Sequence, residues 1–327
     1  MPAFRRQVVV KLARGARAFL NLEAGVTRGA VPAPPWKSRV VSGKRASGGV
    51  SPENVIWIFG TGRTGSTWLA AMMEEPEDHA VWFEPRVGAL FDDQRFGHHG
   101  GGHFVLGSEY KNVWLGSVRN FVLDGADARF PGLSRRGYLS IKEPGGSEGA
   151  PVLVEALPES RVALLVRDPR DVAASWLDAT KTGGWQNERR TKKGARVSPD
   201  ADTNPNAFVM RHAKAYLQNV GRAKQAYDLH RGHKAIVRYE DLRSDTLGAM
   251  KKFYSDLGVP VGEKELARAV EKHAWENIAE DQKGEGKFYR KAKPGGWRED
   301  LTPRQVEIVE ETTAPLLDAF YPGWEPG

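Results

Sequence analysis

The run Val55-Ile56-Trp57-Ile58-Phe59 passes directly into Gly60-Thr61-Gly62-Arg63-Thr64-Gly65-Ser66-Thr67-Trp68-Leu69. An apolar strand that ends in a glycine-rich turn and re-enters a helix-like segment leaves few folds open. Glycines let the backbone wrap an anion, successive N–H groups point into the turn, and the helix N-terminus adds partial positive charge. The layout is that of a phosphate cradle. No Gly-Lys-Ser/Thr tripeptide closes it, so it departs from the Walker A pattern. Arg63 precedes the last glycine instead of following it. That order argues against a loop that hydrolyses ATP or GTP and for a different nucleotide donor.

A second segment narrows the reading. Arg161-Val162-Ala163-Leu164-Leu165-Val166 reads as a buried parallel strand and runs into Arg167-Asp168-Pro169-Arg170-Asp171-Val172-Ala173-Ala174-Ser175-Trp176. Pro169 stops the strand and suits the first turn of a helix. Arg167 therefore ends a strand, and Ser175 lies about two helical turns later. Open α/β sheets bind ligands at the carboxyl ends of their strands, so Arg167 and Ser175 can hold a second phosphate.

With these motifs the chain resembles the sulfotransferases that use 3′-phosphoadenosine 5′-phosphosulfate (PAPS). Arg63-Thr64-Gly65-Ser66-Thr67-Trp68 is similar to the family's 5′-phosphosulfate loop. Arg167 to Asp171 with Ser175 matches its 3′-phosphate motif, and Tyr239-Glu240-Asp241-Leu242 matches an element that follows a late strand. Arg290-Lys291-Ala292-Lys293-Pro294-Gly295-Gly296-Trp297 is similar to its C-terminal cationic segment, with Ala292 and Gly296 in place of the usual Gly and Asp. The resemblance covers roughly Val55 to Trp324. It implies an α/β fold of three layers, a parallel sheet with flanking helices, like that of the P-loop nucleotide hydrolases. It also implies PAPS as donor and release of adenosine 3′,5′-bisphosphate (PAP).

Sulfuryl transfer needs in-line displacement, a neutralised leaving group and an activated nucleophile. The group transferred carries less negative charge than a phosphoryl group, so Arg and Lys can replace Mg²⁺, and no metal is expected. Arg63 is placed to stabilise charge on the bridging oxygen, and N–H groups of Gly65 to Thr67 to hold the 5′-phosphate. Lys142 aligns with a family lysine that contacts the transferring group. A general base must take the acceptor's proton. Glu84, in Trp82-Phe83-Glu84-Pro85, stands where carbohydrate and tyrosylprotein sulfotransferases carry their base. Glu143, in Ser140-Ile141-Lys142-Glu143-Pro144, is the second candidate. Glu84 is favoured, which tilts the acceptor towards a carbohydrate or glycolipid, with protein tyrosine or a small metabolite behind it. Asp168, Asp171, Glu240 and Asp241 are read as groups that orient arginines and cap helices. A kinase and a non-catalytic nucleotide-binding protein are the alternatives.

Bulk properties agree. The 327 residues carry a net charge of +7 and no cysteine. A basic chain suits an anionic ligand, and no nucleic-acid-binding signature accompanies the charge. Residues 1–50 read as a basic segment and linker, and 51–327 as one sulfotransferase domain. Arg5, Arg6, Lys11, Arg14 and Arg17 precede the first acid, Glu23. Residues 1–22 are read as a helix packed on the domain, with contact to an anionic membrane as the second reading. The location expected is cytoplasmic. His98, His99 and His103 lie in a Gly-rich stretch without companions spaced for a metal.

Periodicity predicts strands at Val55–Phe59, Ala80–Phe83, Tyr138–Ile141, Arg161–Val166 and Lys234–Val237. Helices are expected at Thr67–Glu75, Pro151–Leu157, Asp171–Thr180, Ala207–His230, Leu247–Leu257, Glu263–Ala274 and Pro303–Phe320. The polar stretch Thr182–Asn206, with Arg189, Arg190, Lys192, Lys193 and Arg196, is expected to be a long mobile loop.

Overall fold

The computed structural model describes residues 49–92, 111–195 and 199–326. The basic segment of residues 1–22, most of the linker, His98, His99, His103 and Arg196 lie outside the described residues.

Five strands form one parallel sheet: β1 (Val55–Phe59), β2 (His79–Phe83), β3 (Tyr138–Lys142), β4 (Arg161–Val166) and β5 (Lys234–Arg238). Their order is β2-β3-β1-β4-β5. The chain builds one side of β1 first and then crosses it to place β4 and β5. That reversal opens a crevice at the carboxyl end of β1.

Alternation along the strands makes two cores. Val55, Trp57 and Phe59 pack with helices α3 (Lys111–Arg129), α4 (Ala150–Ala156) and α8 (Pro205–Leu229). Ile56 and Ile58 pack with α1 (Ser66–Met73), α10 (Thr246–Asp256) and α11 (Glu263–Lys272). The result is three layers, with β1 wholly buried between the two helical ones. The remaining helices are α2 (Val87–Leu90), α5 (Pro169–Thr180), α6 (Trp185–Lys192), α7 (Asp200–Thr203), α9 (Tyr239–Ser244), α12 (Trp297–Asp300) and α13 (Pro303–Phe320). The α5 start follows its sequence: Pro169 is the first helical residue, and the Asp168 carboxylate accepts the Arg170 N–H at 2.8 Å. In α13, Thr302 and Gln305 form a capping box.

Two segments depart from expectation. Thr182–Asn206 is not a loop throughout, since it contains α6 and α7. Polarity is misleading there. The α6 residues Gln186, Glu188, Arg189, Arg190 and Lys192 are good helix formers, and the helix is anchored by Trp185, whose ring meets Phe288 edge-on at 5.1 Å. The 19-residue α3 went unpredicted. Gly116 and Gly125 break its pattern, and Gly125 is needed because a Cβ there would come within 2.9 Å of the Trp82 ring.

Candidate active site

All five strands deliver a candidate residue at or just beyond their carboxyl ends: the Gly60–Gly65 turn after β1, Glu84 after β2, Lys142 as the last residue of β3, Arg167 after β4 and Tyr239 after β5. They line one cleft of about 890 Å³. Arg63, Gly65, Ser66, Thr67, Trp68, Ser175, Arg290 and Lys291 line it as well. Thr64 lies beneath, buried, with its hydroxyl donating to the Thr61 carbonyl at 2.8 Å.

The turn is held by its own chemistry. Gly65 has φ +88°, and a Cβ there would meet the Tyr239 ring at 2.6 Å. The Gly60 N–H donates to Ser147 Oγ at 2.9 Å, an anchor the sequence reading missed. Arg63, itself at φ +71°, donates from Nε to Ser175 Oγ and from Nη2 to the Phe288 carbonyl, both at 2.9 Å. Its guanidinium lies between the rings of Trp185 (5.3 Å) and Phe288 (5.0 Å). Arg167 donates to the Arg63 carbonyl at 3.0 Å and lies 4.3 Å from the Tyr239 ring centroid.

Three guanidinium groups thus converge. Burial, and then the charges of Arg167 and Arg290, push the Arg63 pKa down to about 10. Nε of Arg167 is buried with no hydrogen-bond partner in the protein. A buried donor without a partner is costly, and an anion at this point satisfies it. The residues therefore fit a phosphate-bearing nucleotide.

The 283–297 segment forms the far wall, and carboxylates on α5 hold it. Asp171 accepts the Gly295 N–H at 2.8 Å and the Trp297 N–H at 2.9 Å, and Asp178 accepts the Gly286 N–H at 3.0 Å. Asp171 also sits 3.8 Å from Arg167, joining this wall to the β4 end. Arg290 and Lys291 both pair with Asp300, at 2.6 and 2.8 Å. Ala292 takes φ +47°, a left-handed conformation. Near the turn, Trp68 donates to the His273 carbonyl at 2.8 Å, and Arg243 and Trp275 join the lining. His273, Arg243 and Trp275 carry no motif, so nothing in the sequence marks them. Asp168 and Glu240 serve arginine orientation and packing: Asp168 pairs with Arg170, and Glu240 accepts the Asp168 N–H and the Tyr321 hydroxyl.

The two glutamates part company by burial. Lys142 Nζ contacts Glu84 Oε1 at 2.6 Å; the lysine side chain is 3% exposed and the Glu84 side chain 53%. Glu84 sits at φ +47° and Arg86 at φ +59°, on either side of Pro85. Glu143 is fully buried and does not line the cleft. Its Oε1 accepts the Val87 N–H at 3.1 Å, so it fixes the turn that carries Glu84. Burial raises the Glu143 pKa to about 7. A carboxyl raised from 4.5 in the unfolded chain favours folding most below that value and loses the contribution as pH climbs through 7. The Glu143→Gln protein is therefore expected to lack this loss. Its Tm relative to the native chain should rise between pH 5 and 8, which thermal unfolding across that range checks.

Among the described residues, no group of three His, Asp or Glu side chains is placed to hold a metal ion. Nor is any described helix long and apolar enough to cross a membrane.

The family model described as "Sulfotransferase domain" matches residues 151–320. Mouse sulfotransferase 2A6 is 25% identical over 246 residues, which cover 65% of this chain and 77% of the relative. Mouse sulfotransferase 2A1 is 31% identical over 105 residues, 28% of this chain and 37% of the relative. Two solved structures share the fold. One is mouse sulfotransferase SULT7A1 complexed with PAP, at 16% identity and a TM-score of 0.51, covering 82% of this chain and 86% of that one. The other is sulfotransferase STF9 of Mycobacterium avium, at 16% identity and a TM-score of 0.52, covering 83% and 78%.

Proposed function

This chain belongs to the sulfotransferase family, and on that premise we propose that it moves a sulfuryl group from PAPS to a hydroxyl of a carbohydrate or glycolipid, with Glu84 as general base. The observation that carries the reading is the Glu84–Lys142 pair, 2.6 Å apart at the carboxyl ends of β2 and β3, in the same cleft as Arg63. Glu84 takes the acceptor proton as the acceptor oxygen closes on sulfur. Lys142 offers positive charge beside the transferring group, and Arg63 stabilises the oxygen left behind on the nucleotide. Arg167, Ser175 and the Arg290–Lys291 pair are the groups offered to the 3′-phosphate. Phe83, Trp176, Trp185, Gln186 and Asn219 also line the cleft. Aromatic faces next to amides suit a hydroxyl-bearing ring; a wholly apolar acceptor leaves the amides unpaired. The kinase alternative falls with the family match.

Transfer from sulfur-labelled PAPS to neutral and acidic oligosaccharides tests the reading, and failure to label any of them removes the carbohydrate assignment. A calorimetric comparison tests the donor site. PAP should bind at least tenfold more tightly than AMP, because charge-assisted hydrogen bonds to a 3′-phosphate contribute about 1.5–3 kcal/mol each. Equal affinities would mean that Arg167 and Ser175 do not bind that phosphate.

A further inference from the structure

The cleft does not end at Glu84 and Lys142. A second cavity of about 460 Å³ adjoins it, and Trp176, Gln186 and His212 line both. The common wall is aromatic: His212 stacks on Trp176 at 5.1 Å and lies 4.3 Å from the Phe208 ring. Helix α6 borders both spaces. Arg189 and Arg190 stand three and four residues after Gln186, so each is its neighbour on the helix surface. Gln186 reaches both cavities, Arg189 the main cleft and Arg190 the second cavity.

Charge on this face is one-sided. Among the described residues no carboxylate pairs with Arg189 or Arg190. The helix's own acid, Glu188, is turned towards Lys192 at 4.0 Å. Arg211, the other arginine of the second cavity, is matched by Asp200 at 2.8 Å. His212 adds no charge near neutrality, since burial, followed by Arg211 and Arg190, pushes its pKa down to about 4. Arg86, on the turn next to Glu84, lines the main cleft and has no acid partner among the described residues. Exposed arginines are ordinarily solvated surface. These differ in flanking an aromatic-walled space that shares Trp176, Gln186 and His212 with the cleft holding the Glu84–Lys142 pair. The donor's charges do not account for them, because Arg63, Arg167, Arg290 and Lys291 stand at the nucleotide end.

We propose that the acceptor spans both cavities and carries an oxyanion, a carboxylate or a sulfate ester, bound under α6 by Arg189 and Arg190. This rests on the carbohydrate reading above and narrows it to acidic glycans. Guanidinium groups bind either oxyanion through paired N–H donors, while Trp176 and His212 give the sugar ring an apolar wall.

Intrinsic tryptophan fluorescence of the PAP-saturated protein, with Trp176 and Trp185 as reporters, reads binding without requiring transfer. Three probes are titrated: N-acetyllactosamine, its 6-sulfated form, and the disaccharide of glucuronic acid and N-acetylglucosamine. At least one charged probe should bind tenfold or more tightly than the neutral one, and which one it is tells carboxylate from sulfate. The preference should weaken with salt, vanish in Arg189→Ala/Arg190→Ala and return in large part in Arg189→Lys/Arg190→Lys, with PAP affinity retained throughout. Equal binding of all three probes, no binding of any, or a preference that survives the double alanine change overturns the proposal. A charged probe that binds as expected but is never labelled by PAPS leaves the oxyanion site standing and removes the transfer reading instead.

Discussion

Glu84→Gln should lower turnover about 10²–10⁴-fold, the usual contribution of a general base, and leave PAP affinity unchanged. Gln is nearly isosteric, so the turn between β2 and α2 keeps its shape, with the residue 84 N–H still bonded to the Lys142 carbonyl at 2.9 Å. The amide oxygen can still accept from Lys142 Nζ, but it cannot take a proton. Lys142 is buried and loses its carboxylate partner, so a modest fall in Tm accompanies the change. Single-turnover transfer from labelled PAPS, with PAP affinity measured in parallel, separates chemistry from binding. Near-native turnover would show that Glu84 is not the base. Glu143 does not become the substitute by elimination, because it is fully buried behind the turn, outside the cleft lining, with Oε1 bonded to the Val87 N–H.

Arg63→Ala should damage binding and chemistry together. The side chain connects three parts of the site: the turn after β1, α5 through Ser175, and the 283–297 wall through the Phe288 carbonyl. Its removal also leaves Trp185 and Phe288 without the cation between them. PAP affinity should fall about 10–100-fold, the value of one charge-assisted contact. Turnover should fall further, by about 10³-fold or more, because charge on the departing oxygen grows in the transition state. Arg63→Lys keeps the charge without the planar fork and should recover part of the binding. Calorimetry with PAP and single-turnover transfer measure the two losses. Unchanged PAP affinity in the alanine protein would remove Arg63 from the donor site.

The strand ends were legible because apolar runs there stop at glycine, proline or charge. β1 and β4 begin and end at the expected residues, and the other three strands extend by a single residue at one end. The donor-side motifs are contiguous, so a position in sequence is nearly a position in space. What sequence cannot show is long-range attachment. The cationic segment reaches the site because Gly295 and Trp297 bond Asp171, 124 and 126 residues away. Glu84 is favoured over Glu143 in the sequence through the family resemblance alone, since both follow apolar strands. Only burial separates a carboxylate open to the cleft from one that holds backbone amides. Helix α6, whose two arginines carry the oxyanion proposal, was misread because a polar helix that packs through one tryptophan leaves no periodic signature.

The turn at Glu84 and Arg86 also bears on how such a chain could be bred. Two residues with side chains sit in left-handed backbone, one of them directly before a proline. Each such conformation costs on the order of 1 kcal/mol or more. Glycine or asparagine would relieve the strain at position 86, whereas the same change at position 84 would strip buried Lys142 of its carboxylate, a larger loss than the strain relieved. A library screened for folding alone would therefore drift at Arg86 and hold Glu84, so the buried lysine keeps the carboxylate in place even without a screen for sulfuryl transfer.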